Sequence, residues 1–178
     1  MPNPTDILLR EHDIISSVSS TINELDKVLM QSPEKFEEIV VHLLTFFREY
    51  SDKYHHQKEE QILFPALNDH PDFRQQEIIT ELEEHHENFR EQVTAIESAL
   101  NSKEFEQALS ILKIYVNDLL DHIAVENDEL FIMAESLFSE NELERIYFQC
   151  VDIDNELGTD AKEVLEKIPA LIEQSAGL

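Results

Sequence analysis

Apolar residues and a few polar ones share one helix face along most of this chain, at alternating steps of four and three residues. In the first stretch this face carries Leu8, His12, Ile15 and Ile22. Four stretches keep the spacing long enough for long helices, and two shorter ones follow. The pattern predicts helices over about 5–30, 33–68, 72–100, 103–138, 140–157 and 160–174.

Helix start and stop signals lie between these stretches. Ser32 is a good cap and Pro33 a good first residue for the second helix. Ser139 and Glu142 have the spacing of a capping box, and Gly158 lies where the fifth helix should end. The chain has only two glycines, whereas a β-rich fold needs many tight turns. We therefore predict an all-α fold.

Four long helices with short connections predict an up-down-up-down four-helix bundle. The length of 178 residues favours one domain over 1–178. Within it we expect the bundle over 5–138 and a C-terminal helical extension over 139–178. The two extra helices of the extension are amphipathic, so we expect them to pack on the bundle or to form a homodimer interface.

The charge of the chain excludes several kinds of partner. It carries 39 acidic and 13 basic residues, a net charge of −26. Such a surface repels phosphate backbones and anionic lipids, so we expect neither nucleic acid nor a membrane as a partner. Cys150 is the one cysteine, which excludes an intrachain disulfide and a cysteine-based metal site. The first residues do not resemble a secretory signal, and we expect a cytoplasmic location.

A short motif that occurs twice is the strongest signal in the sequence. Residues 55–64 and 122–131 both read His-x-x-x-Glu-x-x-x-Leu-Phe, the second copy 67 residues after the first. Residues four apart on a helix share a face, with side-chain roots about 6 Å apart. His55 with Glu59, and His122 with Glu126, can therefore reach one metal ion or two neighbouring ions.

Two further histidines lie on inward helix faces, His12 four residues after Leu8 and His86 four residues after Leu82. In a four-helix bundle they converge with the two motif pairs. Burying carboxylates and imidazoles in an apolar core is unfavourable unless a cation pairs with them. Four nitrogens and two oxygens suit iron or manganese better than calcium or magnesium, and two ions better than one. The predicted metal ligands are His12, His55, Glu59, His86, His122 and Glu126.

Three other residues stay open as metal contacts. His56 and His85 each neighbour a better-placed histidine. Tyr115 lies on the inward face two turns before His122, where it is equally well explained as a core ring whose hydroxyl finds a partner.

At these residues the chain resembles the hemerythrin-like, HHE cation-binding family. The resemblance covers about residues 5–138 and is carried by segments 8–12, 55–65, 82–90 and 122–134. It implies a four-helix bundle with a non-haem di-iron centre, in which the two carboxylates and an oxo or hydroxo group bridge the ions. It also implies roles in binding or sensing oxygen, in handling peroxide or nitric oxide, or in iron homeostasis.

The sequence departs from the oxygen-carrying hemerythrins at two positions. They have two histidines four apart on the third helix, whereas here Leu82 lies four residues before His86. They also have an aspartate five residues after the fourth-helix histidine, where this chain has Asn127 and uses Glu126. The resemblance is therefore to the broader branch of the family.

Three functions are open at this point. We favour a non-haem di-iron protein that binds or senses oxygen, peroxide or nitric oxide, or takes part in iron homeostasis, over an enzyme. The expected cofactor is two iron ions, with manganese or zinc as alternatives. The second function is a ferritin-like di-iron oxidase or peroxidase. That class typically uses two Glu-x-x-His motifs, and only Glu83–His86 has this spacing here. The third is a structural protein with incidental metal.

Overall fold

The computed structural model describes residues 2–177, and all regular secondary structure in that range is helical. Met1 and Leu178, the two ends of the predicted single domain, lie outside the described residues, and the single-domain assignment stays a prediction. The α-helices are α1 (Pro4–Ser16), α2 (Val18–Gln31), α3 (Pro33–Phe46), α4 (Phe64–Asp69), α5 (Gln76–Asn101), α6 (Phe105–Val125), α7 (Phe131–Leu137), α8 (Glu140–Leu157), α9 (Thr159–Glu166) and α10 (Ile168–Ala176). Three π-helical segments are π1 (Phe47–His56), π2 (Glu59–Leu63) and π3 (Glu126–Leu130).

The predicted start and stop signals are confirmed. Ser32 Oγ accepts a hydrogen bond from the Lys35 backbone N–H at 3.2 Å, with Pro33 as the first residue of α3. Ser139 and Glu142 form a capping box at the start of α8. Gly158 follows α8 at φ 85°, a backbone conformation that favours glycine.

The second and fourth predicted helices are not uniform α-helices, because each contains π-helical turns around its metal-ligand motif. A π-helix forms i→i+5 hydrogen bonds, is rare, and frequently occurs at functional sites. π2 begins at Glu59 and π3 at Glu126, so the two copies of the motif deviate at equivalent residues. Pro65 follows π2, but the equivalent residue after π3 is Ile132. The proline is therefore not the cause of the deviation.

Other boundaries differ from the sequence-based prediction by a few residues. The first helix is interrupted at Ser17, whose hydroxyl donates to the Ile14 carbonyl at 2.6 Å. The third starts at Gln76 rather than 72, since Phe73 lies buried in the preceding turn. The last one is divided at Lys167. Pro169 lies in the first turn of α10 and has no N–H to continue α9.

The apolar core forms two clusters, and the candidate ligands lie between them. The smaller cluster includes Phe64 and Phe131, whose rings stack on His86 and His12 with centroids 5.9 and 5.4 Å apart. The larger cluster includes Phe89, whose ring lies 5.2 Å from that of His122. Apolar side chains therefore enclose a polar layer.

The C-terminal helices pack on the rest of the chain. α8 contacts α1 and π2, and α10 contacts α2 and α3. This contact does not test the predicted homodimer, which stays a prediction. None of the helices between residues 2 and 177 combines the length and the apolar character needed to cross a bilayer.

Candidate metal centre

All six predicted ligands are brought together in the buried polar layer, and each is at most 2% exposed. Glu59 lies among three of the histidines. Its Oε1 atom is 3.4 Å from His55 Nε2 and 3.8 Å from His12 Nε2. Its Oε2 atom is 3.7 Å from His86 Nε2. The two oxygens of this carboxylate therefore face different histidines, as a bridging ligand requires.

Glu126 has the corresponding position in the second motif copy. Its Oε2 atom lies 3.3 Å from both His12 Nε2 and His122 Nε2. His86 Nε2 completes this side of the layer, 3.1 Å from His122 Nε2. The Nε2 atoms of all four histidines thus point toward the two carboxylates and toward one another.

The opposite ring nitrogen of His12 and of His86 is held from outside the layer. His12 Nδ1 lies 2.7 Å from Asn127 Oδ1, and His86 Nδ1 lies 2.8 Å from Glu60 Oε1. Asn127 and Glu60 each directly follow the glutamate of their motif copy. An oxygen at Nδ1 fixes the proton there and leaves the Nε2 lone pair pointing inward.

His55 and His122 are held by the residues that precede His12 and His86. His55 Nδ1 lies 3.0 Å from Glu11 Oε2. His122 Nδ1 lies 3.4 Å from His85 Nδ1. A histidine that binds a metal through one nitrogen usually donates the other N–H to such an outer partner. The arrangement is typical of metal-binding imidazoles.

Several inward atoms make no hydrogen bond of acceptable geometry. They are His12 Nε2 and all four carboxylate oxygens of Glu59 and Glu126. A buried polar atom without a partner lowers stability by about 1–3 kcal/mol, and more if it is charged. Cations between these atoms would satisfy them together. The donor set of this layer therefore fits a metal centre.

The potential ligands fall into two groups, in which one donor atom from each residue lies within 4.8 Å of the others. The first group is His12, His55, Glu59 and Glu126, and the second is His56, His86 and His122. His56 thus joins the site, although sequence analysis ranked it below His55. Its ring stacks on that of His86 with centroids 3.8 Å apart.

The outer ring nitrogen of His56 lies near a carboxylate but makes no hydrogen bond of acceptable geometry. Its Nδ1 atom lies 3.4 Å from Asp52 Oδ1, and the Arg90 side chain donates to the same oxygen at 2.8 Å. On an α-helix His56 would point about 100° away from His55. Both residues lie at the end of π1, and both rings are buried in the same polar layer. In the sequence, the adjacent pair His55–His56 was the one signal that could have identified His56 as part of the site.

The other two open residues lie outside both groups. His85 is exposed and reaches the site only through His122. Tyr115 is 1% exposed, and its ring packs 4.4 Å from that of Phe47. Burial and the nearby Asp52 charge raise the pKa of its hydroxyl. The choice of His86 over His85 agrees with this geometry, whereas metal binding by any of the residues stays a prediction.

The two central carboxyl groups differ in protonation. Burial and the neighbouring Glu126 charge raise the pKa of Glu59 well above its ordinary value. Burial also acts to raise the pKa of Glu126, but the electrostatic effect of the neighbouring His122 and His12 rings outweighs it, and this pKa is lowered. Two carboxyl groups this close favour one shared proton, which a cation would displace.

Burial favours neutral imidazoles, the form that binds metal. It lowers the pKa of His55 well below its ordinary value, and the neighbouring His12 adds to the effect. It lowers the pKa of His56 to about 3, with a further contribution from His86. The folded chain thus presents these rings deprotonated at neutral pH.

Two surface cavities reach the second group. One, of about 240 Å³, extends to His56 and is lined by apolar side chains such as Phe47 and Phe89 and by charged ones such as Arg48 and Arg90. Another, of about 270 Å³, extends to His122 beside Asp118. A small molecule could therefore approach the second group of ligands more directly than the first.

The family relationship follows from a comparison of the whole chain with known families. The family described as Hemerythrin HHE cation binding domain matches residues 3–134. The chain belongs to this family, as its resemblance predicted. The match and the grouped His and Glu side chains support cation binding, typically of iron in this family. Comparisons with curated proteins and with solved structures gave no significant match.

Proposed function

We propose that this protein is a non-haem di-iron protein that binds or senses a small ligand such as oxygen, peroxide or nitric oxide, or takes part in iron homeostasis. The proposal includes an up-down-up-down four-helix bundle over 5–138 with the C-terminal helices added outside it. The proposed ligands are the six residues predicted from the sequence, together with His56.

One observation carries the proposal. The four carboxylate oxygens of Glu59 and Glu126 lie among inward-facing imidazole nitrogens, yet none of them has a hydrogen-bond partner. Both side chains are 0% exposed. Two ionised carboxylates in an apolar core are strongly destabilising without counter-charge. Two divalent or trivalent ions would supply that charge, and each carboxylate is placed to contact both ligand groups.

Residues around the proposed ligands would orient them and shield them from water. Glu11, Asn127 and Glu60 hold the outer ring nitrogens and so orient the inner ones. Phe64 and Phe131 cover the rings of His86 and His12 and limit water. Bound iron would supply redox activity and open coordination positions for a small ligand. The cavity beside His56 offers a small ligand a route toward the second group of proposed ligands.

The test is metal content together with the optical spectrum, before and after air reaches reduced protein reconstituted with iron. We expect two irons per chain and near-ultraviolet bands that respond to oxygen, peroxide or nitric oxide. One iron or none would contradict the proposal. Reconstitution with manganese or zinc in parallel identifies the metal that the site prefers.

The oxidase or peroxidase alternative predicts a different result in the same preparation. Steady consumption of oxygen or peroxide by the loaded protein would favour an enzyme, whereas a stoichiometric and reversible spectral change favours binding or sensing. The cytoplasmic location and the homodimer stay predictions from the sequence.

A further inference from the structure

Lys58 is an unusual residue, because its side chain is 0% exposed and lies directly beside the candidate metal centre. Its Nζ atom contacts Glu11 Oε1, lies 2.7 Å from Asp154 Oδ1 and lies 3.4 Å from the centre of the Tyr54 ring. A buried ammonium is tolerated only with such compensation. Lys58 is therefore held between a carboxylate of α1 and one of α8.

Glu11 connects this buried cation to a proposed metal ligand. While Oε1 contacts Lys58, its other oxygen lies 3.0 Å from His55 Nδ1. His55 Nε2 in turn lies 3.4 Å from Glu59 Oε1. An unbroken series of polar contacts thus runs from the central carboxylate through His55, Glu11 and Lys58 to the C-terminal extension.

Asp154 is the residue at which this series reaches the extension. Its Oδ1 atom also accepts a hydrogen bond from the Tyr54 hydroxyl at 2.7 Å. Its Oδ2 atom accepts one from Lys162 of α9 at 2.6 Å. Burial acts to raise the pKa of Asp154, but the hydrogen bonds from Lys162, Lys58 and Tyr54 outweigh it and the pKa is lowered. Asp154 is thus an ionised contact shared by π1, α8 and α9.

We propose that Glu11, Lys58 and Asp154 couple occupation of the metal centre to docking of helices α8 and α9. This inference rests on the proposed function. A histidine that binds a cation through Nε2 carries its proton on Nδ1, so His55 then always donates to Glu11. Glu11 is thereby held in place for Lys58, and Lys58 for Asp154. In the reverse direction, docked α8 holds Lys58 and Glu11 where they orient His55.

Coupling of this kind is reciprocal, so it has two measurable consequences. Metal binding should favour the docked state of α8 and α9 and so protect their amides from hydrogen exchange. Loss of docking should reduce the affinity for metal by the same factor by which metal favours docking. Couplings between sites typically change an affinity by about 5–150-fold. The polar series thus makes the extension the element through which the state of the centre is transmitted.

The experiment uses the full chain and ferrous iron under anaerobic conditions. Iron stoichiometry is measured first, and then amide hydrogen exchange of peptides from 140–166 with and without iron. We expect at least about fivefold slower exchange in these peptides on loading. Wild-type protein that binds no iron would overturn the proposed function as well. Wild-type protein that binds iron without protection of these helices would overturn the coupling alone.

The variants provide the reciprocal measurement. Asp154→Asn should lower iron affinity by about fivefold or more, and it should abolish the protection. Asp152→Asn is the matched control, since Asp152 is exposed on the same helix. Tyr54→Phe removes the hydroxyl that donates to Asp154 while keeping the ring beside Lys58, and it should lower iron affinity less than Asp154→Asn does. Equal iron affinity in Asp154→Asn, Asp152→Asn and wild-type protein would contradict the proposal.

Discussion

The two copies of the His-x-x-x-Glu motif place equivalent residues in equivalent positions. In each copy these residues contact a histidine that lies outside the motif. Phe64 stacks on His86, and its counterpart Phe131 stacks on His12. The residue after each glutamate contacts the same histidine as the phenylalanine of its copy. Glu60 contacts His86, and Asn127 contacts His12. Each glutamate also begins a π-helical segment. The internal repeat therefore accounts for the approximate symmetry of the ligands.

The copies differ in the residues that surround these ligands. Lys58 of the first copy corresponds to Val125, and His56 corresponds to Ile123. The first copy is consequently enclosed by buried charges that reach α8. The second is supported by the exposed His85 and is next to a surface cavity. The shared residues are the proposed metal ligands and their supports. The unshared Lys58 encloses the ligand group that contains His12 and His55, the closed side, whereas cavities reach the group that contains His56 and His122, the accessible side.

Removing the carboxylates should produce the largest effect and test whether the two copies are equivalent. We expect Glu59→Ala and Glu126→Ala each to lower the iron stoichiometry below two per chain, because each removes a proposed bridge. Circular dichroism should show the helical fold retained, and Glu129→Ala is the exposed control. Two irons in either glutamate variant would show that its copy provides no bridge.

Replacing Lys58 should destabilise the protein more than replacing the equivalent residue of the second copy. Lys58→Met leaves Glu11 and Asp154 without their buried partner, and we expect the free energy of unfolding to fall by about 3 kcal/mol. The equivalent change in the second copy, Val125→Met, should alter it by less than about 1 kcal/mol. Chemical denaturation measures both. Similar losses would argue against a special role for the closed side.

Acid should destabilise the metal-free protein through its buried histidines. The pKa of His56 is about 3 in the folded chain and about 6.5 when free, and those of His55 and His86 are also lowered. The unfolded chain therefore binds more protons below pH 6.5, so stability present above that pH is lost as the pH falls toward 3. Each such histidine contributes about 1.4 kcal/mol per pH unit within its range.

The raised pKa values of Glu59 and Glu11 act in the opposite direction, because the stabilisation from each group is lost as the pH rises through its pKa. We expect the three histidines to dominate, and denaturation curves of metal-free protein between pH 7 and 5 would measure the net slope. The loaded protein should lose stability more steeply, since acid also releases the metal. A flat profile for both forms would contradict a histidine-rich site.

Replacing His56 should have the smallest effect and should concern the accessible side alone. His56→Phe keeps a ring stacked on His86 but removes a potential donor atom. We expect two irons to remain, with the affinity of the weaker one lowered by at least about tenfold, the loss that removal of even a residue supporting a ligand typically causes. His85→Phe is the control, and competition with a chelator measures both. Unchanged affinity in His56→Phe would exclude it as a ligand.

The sequence was sufficient to predict those features that depend on local spacing. Alternating steps of four and three residues located the helical stretches, and the signals at Ser32, Ser139 and Gly158 located their ends. The same spacing identified the six side chains that meet in the polar layer, because residues four apart on a helix share a face. Domain organisation and actual metal ligation stay predictions.

Only the tertiary structure decided the features that depend on distant residues. His55 and His56 are adjacent, yet both rings are buried in the polar layer at the end of a π-helical segment, whereas helical periodicity assumes a regular α-helix with one of them inward. The burial of Lys58 has no signal in the local sequence, because its partners Glu11 and Asp154 come from other helices. Burial of a charge depends on which partners the fold brings to it, and spacing along one helix carries no information about them.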